Sequence, residues 1–189
     1  WQRLWWDSFG EGRELLLLAF HQANENVGIA PMQRQGDVIS FLGDTDLFDF
    51  HDFIIPQGKE ASFYPVLEDY LATQSWQQLY FPSLSHASPT LEYLPQMAER
   101  QGWQCLVEQE DVSPTLTLPV DWDTYLSGLR KKDRHELRRK FRRLEAADGF
   151  EPKVYTSPED VENKLDAFFD LMRQSREEKH RFLTPERES

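Results

Sequence analysis

Three short apolar runs near the amino end constrain the fold more than any other feature of this 189-residue sequence. They occupy residues 14–20, 27–32 and 38–42, and turn-forming Asn, Gly and Asp residues separate them. Runs of this length between turn residues are typical of β-strands joined by short loops. Apolar residues at helical spacing follow over 63–71. The sequence therefore predicts an antiparallel meander followed by a crossover helix, which implies a mixed sheet in an α/β fold.

The same patterns predict further elements in the first two thirds of the chain. Residues 1–9 have apolar positions at helical spacing, and Gly10 fits the end of that helix. Another helix is expected from near Glu92 to Gly102, on the premise that Pro95 is tolerated only in a first helical turn. Additional strands are predicted at 50–55, 79–81, 104–107 and 115–118.

The last third of the sequence is predicted to be mainly helical. Asp121 opens one helix, and Asp133 opens the next because it begins a capping-box pattern. Residues 153–155 look strand-like, and Ser157 then caps a long helix. The expected buried face of that helix consists of Val161, Leu165, Phe168, Phe169 and Met172.

The composition restricts the class of function. A pI near 4.8 argues against a nucleic-acid-binding protein, since such domains are usually basic. Cys105 is the only cysteine, so we expect no disulfide, no Cys-based zinc site and a reducing, cytoplasmic compartment, with Cys105 itself in the core. The longest aliphatic run, 15–20, is too short to cross a bilayer. The five histidines show no metal-ligand spacing, so no metal site is predicted.

A basic run stands out against this acidic chain. Between Arg130 and Arg143, nine basic and two acidic residues give a charge of +7, whereas the whole chain carries -12. Residues four apart share a helix face, so the run predicts two neighbouring rows of cations. The alternative is a solvated face that the protein's own acids partly neutralise. The candidate anion- or substrate-binding residues are Lys132, Arg134, Arg138, Arg139 and Arg142.

The order of elements resembles a GNAT acyltransferase fold. The sequence is similar to the CelD/BcsL-type family of GNAT-like proteins, bacterial chains linked to cellulose and exopolysaccharide synthesis. The strongest match is the Arg-His-Glu-Leu-Arg-Arg-Lys stretch at 134–140. The other pieces that carry the resemblance are residues 5–10, 27–31, 41–44, 49–53, 88–91 and 122–145.

The resemblance implies a domain organisation and an activity. Residues 1–119 would form a GNAT-like mixed sheet flanked by helices, 120–149 a basic helical arm, and 150–189 the first strand and helix of a truncated second GNAT-like domain. The activity would transfer an acyl group from acetyl-CoA or another acyl-CoA to an amine or hydroxyl of an anionic saccharide or peptide precursor. We expect the donor site in the missing part of the second domain, and an exposed apolar helix face would favour a homodimer.

GNAT folds hold the pyrophosphate of coenzyme A at a Gly-rich loop before a helix, where backbone amides bind the anion. The resemblance assigns Gly58 and Lys59 to this cofactor-binding position. The segment has a single glycine where the pattern has two or three. The alternative is therefore an ordinary turn between a strand and a helix.

The candidate catalytic residues are Asp49, Asp52 and His135. Both aspartates lie in an Asp-rich segment at 44–52, where a carboxylate would either hold an amine acceptor or act as the base that deprotonates it before its attack on the thioester. The alternative role for these aspartates is loop capping, because Asp is a preferred turn residue. The alternative function for the chain is a non-catalytic module whose basic helix docks an anionic ligand or partner.

Overall fold

A computed structural model describes residues 1–22, 25–149 and 151–188. The chain forms two compact units, Trp1–Asp111 and Val112–Ser189. The first unit contains a four-stranded mixed sheet, so the predicted mixed α/β class is confirmed. The predicted division at residues 119 and 149 rests on the family resemblance and stays a prediction.

The sheet has the strand order β1-β2-β3-β4. β1 pairs antiparallel with β2, and β2 pairs antiparallel with β3, which confirms the predicted meander. β4 then pairs parallel with β3, because α2 carries the chain back across the sheet between these two strands. The elements of this unit are α1 (Gln2–Phe9), β1 (Glu14–Gln22), β2 (Glu25–Gln35), β3 (Val38–Phe41), α2 (Glu60–Thr73), β4 (Gln78–Tyr80) and α3 (Thr90–Gln101).

The core of this unit lies between one face of the sheet and the helices α2 and α3. β1 alternates as a half-buried strand should, with Leu16 buried and Leu15 and Leu17 exposed. Aromatic rings fill much of the interior, and Phe63 touches the rings of its neighbours at centroid distances of 5.2–5.4 Å. The buried core consists of Leu16, Ala30, Met32, Ile39, Phe41, Phe53, Phe63, Tyr64, Leu67, Leu71 and Met97.

Three predicted strands do not form, one at 50–55 and a pair at 104–107 and 115–118. The stretch 50–55 contributes a single bridge, Ile54 with Ile29, because the amide of His51 donates instead to the carbonyl of Ser83. The predicted pair at 104–107 and 115–118 has no strand, and its apolar side chains are exposed. Cys105 lies in this stretch and is exposed, so its predicted core position is wrong as well.

The proline argument for α3 also fails. The helix starts at Thr90 and not near Glu92, so Pro95 is its sixth residue, and Pro65 is likewise the sixth residue of α2. A proline in the second turn removes only the bond to the carbonyl four residues earlier, and the rest of the helix continues. The predicted end is correct, since Gly102 caps α3 in the left-handed conformation.

The second unit consists of helices. Asp121 accepts a bond from the amide of Thr124, and Ser157 accepts one from the amide of Asp160, so both predicted helix starts are confirmed. The basic helix begins at Lys131 rather than Asp133, because the bond from the Arg134 amide to the Arg130 carbonyl already closes the first turn. The helices are α4 (Trp122–Gly128), α5 (Lys131–Glu145), α6 (Pro158–Ser175), α7 (Glu177–Phe182) and α8 (Pro185–Glu188).

Two further predictions fail in this unit. Residues 153–155 form no strand, and the predicted apolar face of α6 is not buried. Phe168, at its centre, is 57% exposed. Among the described residues, no helix has both the length and the apolar content that crossing a membrane requires.

Candidate functional site

The basic helix α5 is held by α4, which precedes it. Arg134 donates from Nη1 to the carbonyl oxygens of Leu126 and Ser127 at 3.4 and 3.1 Å, and so satisfies the end of α4. The ring of Trp122 meets that of Phe141 edge-on at a centroid distance of 5.7 Å. Arg134, a candidate anion ligand, therefore has a structural role that orients α5.

Most cations of α5 lack an acidic partner. Lys140 and Arg139 lie 3.3 and 3.9 Å from Glu136 on the same helix. In the described part of the chain, the other seven basic side chains of the run have no carboxylate within 4.0 Å. They are Arg130, Lys131, Lys132, Arg134, Arg138, Arg142 and Arg143. The described acids of this unit therefore form no ion pair with these seven side chains, and we expect their charge to attract an external anion.

A shallow open groove accompanies these cations. It consists of two adjoining hollows of about 360 and 310 Å³ along α5. Leu137 and Lys140 line both hollows, and Phe141 and Leu144 make the second one apolar. Asp133 and Glu136 also line the first hollow, so the groove itself is apolar with mixed charge, and the unpaired cations lie outside it.

His135 lies on α5 and is exposed. It is part of the same charged helix as the candidate anion ligands. Asp49 and Asp52, the other candidate catalytic residues, belong to the first compact unit.

Asp52 is tied into the first unit by hydrogen bonds. Its Oδ1 accepts from Thr90 Oγ1 at 2.5 Å and from the Phe53 amide at 2.8 Å. Thr90 Oγ1 also lies 2.8 Å from the hydroxyl of Tyr64, and burial raises the pKa of Tyr64 to about 12. These bonds join the loop to α2 and α3, so the observed geometry gives Asp52 a structural role. Asp49 is exposed in the same loop.

Gly58 and Lys59 lie at the start of α2, where the resemblance places the cofactor loop. Gly58 has a φ of +82°, and the Lys59 amide donates to the Pro56 carbonyl at 3.0 Å, so the segment is a tight turn. The ammonium of Lys59 lies 2.8 Å from Glu25 Oε2, and this contact lowers the pKa of Glu25. The lysine that would approach a pyrophosphate is therefore paired with a carboxylate.

Sequence reasoning missed one unusual side chain, His51. It is 8% exposed, its ring stacks on Phe41 at 5.8 Å, and neither ring nitrogen has a hydrogen-bond partner among the described residues. Burial lowers the pKa of His51, against the opposing charges of Asp44 and Glu110. The only sequence signal was its position between aromatic residues, which does not distinguish a buried imidazole from a surface one. The described residues contain no cluster of side chains suited to a metal ion.

Comparison with known proteins adds no assignment: no family model, curated protein or solved structure matches this chain. The function must therefore be argued from the two units themselves.

Proposed function

We propose that α5 binds an anionic group in GNAT-type N-acyl transfer, in which an acyl group passes from acyl-CoA to an amine or hydroxyl of a saccharide or peptide precursor. The observation that carries this proposal is that seven basic side chains, Arg130 and six on α5, have no carboxylate within 4.0 Å among the described residues. Cations placed four residues apart repel one another, and a bound phosphate or carboxylate relieves that repulsion.

The connectivity of the first unit supports the acyl-transfer part. The antiparallel meander, the crossover helix and the next strand follow the order that the GNAT resemblance implies, but the strand expected directly before that helix does not form. In such a reaction the acceptor nitrogen or oxygen attacks the thioester carbonyl, the coenzyme A thiolate leaves, and the acceptor proton passes to a base. Holding both substrates side by side supplies much of the rate.

The roles within the proposal follow from the contacts. Arg139 and Arg143, on the side of α5 away from Leu137, offer planar guanidinium groups, which suit the paired oxygens of a phosphate. Arg134 is the residue that fixes α5 against α4. His135, on the same helix, is the candidate to take a proton close to the bound anion.

Calorimetric titration with acetyl-CoA at several salt concentrations tests the anion-binding step. We expect one-to-one binding that weakens steadily as salt rises, because phosphate contacts release bound ions. The double variant Arg139→Glu with Arg143→Glu should lose this binding. Its matched control is Arg3→Glu with Lys153→Glu, which makes the same charge change outside α5 and should bind as the parent does.

Absence of binding by the parent chain, or equal binding by the α5 variant and its control, would reject the anion site. Transfer activity is tested separately, by chromatographic detection of free coenzyme A with amine acceptors. A thiol-reactive dye is unsuitable because Cys105 is exposed.

A second candidate function is a non-catalytic module that docks an anionic ligand through the same helix. The observation in its favour is that Lys59 is paired with Glu25 and that Asp52 is hydrogen-bonded to Thr90. Neither Lys59 nor Asp52 is therefore free to bind a cofactor or act as a base. Saturable binding of acetyl-CoA with equal binding of coenzyme A, and no transfer to any amine, would favour this candidate.

A further inference from the structure

The two longest helices of the second unit carry exposed apolar stripes of the same spacing. On α5 the stripe is Leu137, Phe141 and Leu144. On α6 it is Val161, Leu165 and Phe168. Both sets follow the pattern i, i+4, i+7, which places their members on one face of a helix. Phe141 is 43% exposed although Trp122 of α4 meets its ring, and Phe168 is 57% exposed, so both stripes keep open apolar surface.

The two helices also carry opposite charge. Helix α5 has eight basic and three acidic residues, or +5, whereas α6 has two basic and five acidic residues, or -3. The net charges of the two helices are therefore complementary, although Asp133 and Glu136 lie beside the α5 stripe. This complementarity identifies α6 as the partner for α5.

The positions of the charges select a direction of packing. Arg138 and Arg142 directly follow two stripe residues of α5, and Glu162 and Asp166 directly follow two stripe residues of α6. All four therefore lie on the corresponding side of their stripes. When two helices pack antiparallel face to face, corresponding sides meet, so the arginines would face the acids.

We infer that α5 of one copy of this chain packs antiparallel against α6 of a second copy. Both stripes are open in the structure, so the chain does not close this contact on itself. A two-fold axis between the copies forms the contact twice and covers all four stripes, which gives a closed dimer rather than an open chain. The cations on the side of α5 opposite the stripe, Lys132, Arg139 and Arg143, stay accessible to an anion.

Sedimentation velocity over a concentration series tests this dimer in the full chain. We expect the parent protein to dimerise. Arg138→Glu with Arg142→Glu, and Glu162→Lys with Asp166→Lys, should each weaken self-association by about tenfold or more, because like charges then face each other in both contacts. The control Arg139→Glu with Arg143→Glu changes the same charge on the far side of α5 and should dimerise as the parent does.

Mixing the two weakened variants is the decisive measurement. In the mixed pair, both contacts again join opposite charges, so a heterodimer should form although neither variant associates alone. Contact between α5 and α6 within one chain cannot produce this result, since each variant chain remains mismatched. A monomeric parent, a dimer that ignores both double variants, or a mixture that stays monomeric would each overturn the inference.

An uncharged substitution controls for effects of the charge changes on folding. Phe168→Ser removes the largest exposed side chain of the α6 stripe and should weaken the dimer with unchanged circular dichroism. Failure here is separable from failure of the proposed function. Glu162→Lys with Asp166→Lys should dissociate the dimer while acetyl-CoA still binds, and Arg139→Glu with Arg143→Glu should do the reverse.

Discussion

The two compact units use apolar residues in opposite ways. In Trp1–Asp111, sheet and helices bury a shared aromatic interior, and Phe63 and Tyr64 are fully enclosed. In the described part of Val112–Ser189, Leu126 is the single buried hydrophobic residue, although the helices there have well-formed apolar stripes. An apolar stripe thus indicates which face of a helix avoids water, but it does not indicate what covers that face. The stability of the first unit should depend on packing, and that of the second on association and helix capping.

The largest effect on stability is expected when a phenylalanine is replaced by alanine in each unit in turn. Phe63→Ala should lower the free energy of unfolding by about 3–5 kcal/mol, because it empties a fully buried site among aromatic rings. Phe168→Ala should change the unfolding of the monomer by less than about 0.5 kcal/mol, because the side chain is mostly exposed. Urea titration by tryptophan fluorescence and circular dichroism, at concentrations where the protein is monomeric, measures both.

Equal losses in the two variants would contradict the contrast, since they would place Phe168 in a packed core. A loss below about 1 kcal/mol for Phe63→Ala would show that the aromatic interior tolerates a cavity.

Glycine positions give a second comparison. A Cβ at Gly28 on β2 would lie 2.3 Å from Cδ2 of Phe63, so Gly28→Ala should force the ring aside and cost about 1–3 kcal/mol. At Gly128, the last residue of α4, a Cβ meets nothing within 4 Å. Gly128→Ala should therefore be neutral or slightly stabilising, since alanine favours a helix. Thermal unfolding of both variants checks this, and a stable Gly28→Ala protein would mean that Phe63 can move without cost.

A capping substitution addresses the second unit alone. Ser157→Ala removes the side chain that accepts a bond from the Asp160 amide, and it should destabilise α6 by about 1 kcal/mol. Because the apolar stripe of α6 is exposed in the monomer, this loss should appear, at concentrations where the protein is monomeric, as faster amide exchange in α6 while β1–β4 exchange as before. Ser157→Asp keeps an acceptor at the same position and should restore protection. Faster exchange throughout the chain after Ser157→Ala, or no change in α6, would be inconsistent with the expected local effect.

The elements that the sequence predicted correctly are those with strong local signals. The meander, the crossover helix and the caps at Asp121 and Ser157 depend on turn residues and short-range hydrogen bonds. The strand predicted at 50–55 fails because a long-range bond from His51 to Ser83 competes with pairing to β2. Local patterns cannot report such competition, since both partners must first be brought together by the fold.

The features of the candidate site can likewise be separated into those that local sequence patterns predicted and those that they did not. The basic surface of α5 was predictable because helical spacing alone places Arg138 and Arg142 on one side. The engagement of Asp52 by Thr90 and of Lys59 by Glu25 was not predictable, because each contact joins residues more than 30 positions apart. The exposure of the α6 stripe was also missed, since periodicity shows which side chains share a face but not whether another element buries that face.

The smallest expected effect concerns His51 and the pH dependence of the first unit. Burial lowers the pKa of His51 below its ordinary value of 6.5, while Asp44 and Glu110 oppose this shift. The folded state therefore disfavours the protonated ring, so its contribution to stability is complete above pH 6.5 and is lost as pH falls from there towards the folded-state pKa. Urea titrations at pH 7 and 5 should show a decline in the parent that is smaller in His51→Leu, whereas the exposed control His86→Gln should decline as the parent does. If the free energy of unfolding declines equally in the parent and in His51→Leu, groups other than His51 cause the acid sensitivity. Burial of His51 among aromatic rings would then not measurably oppose its protonation.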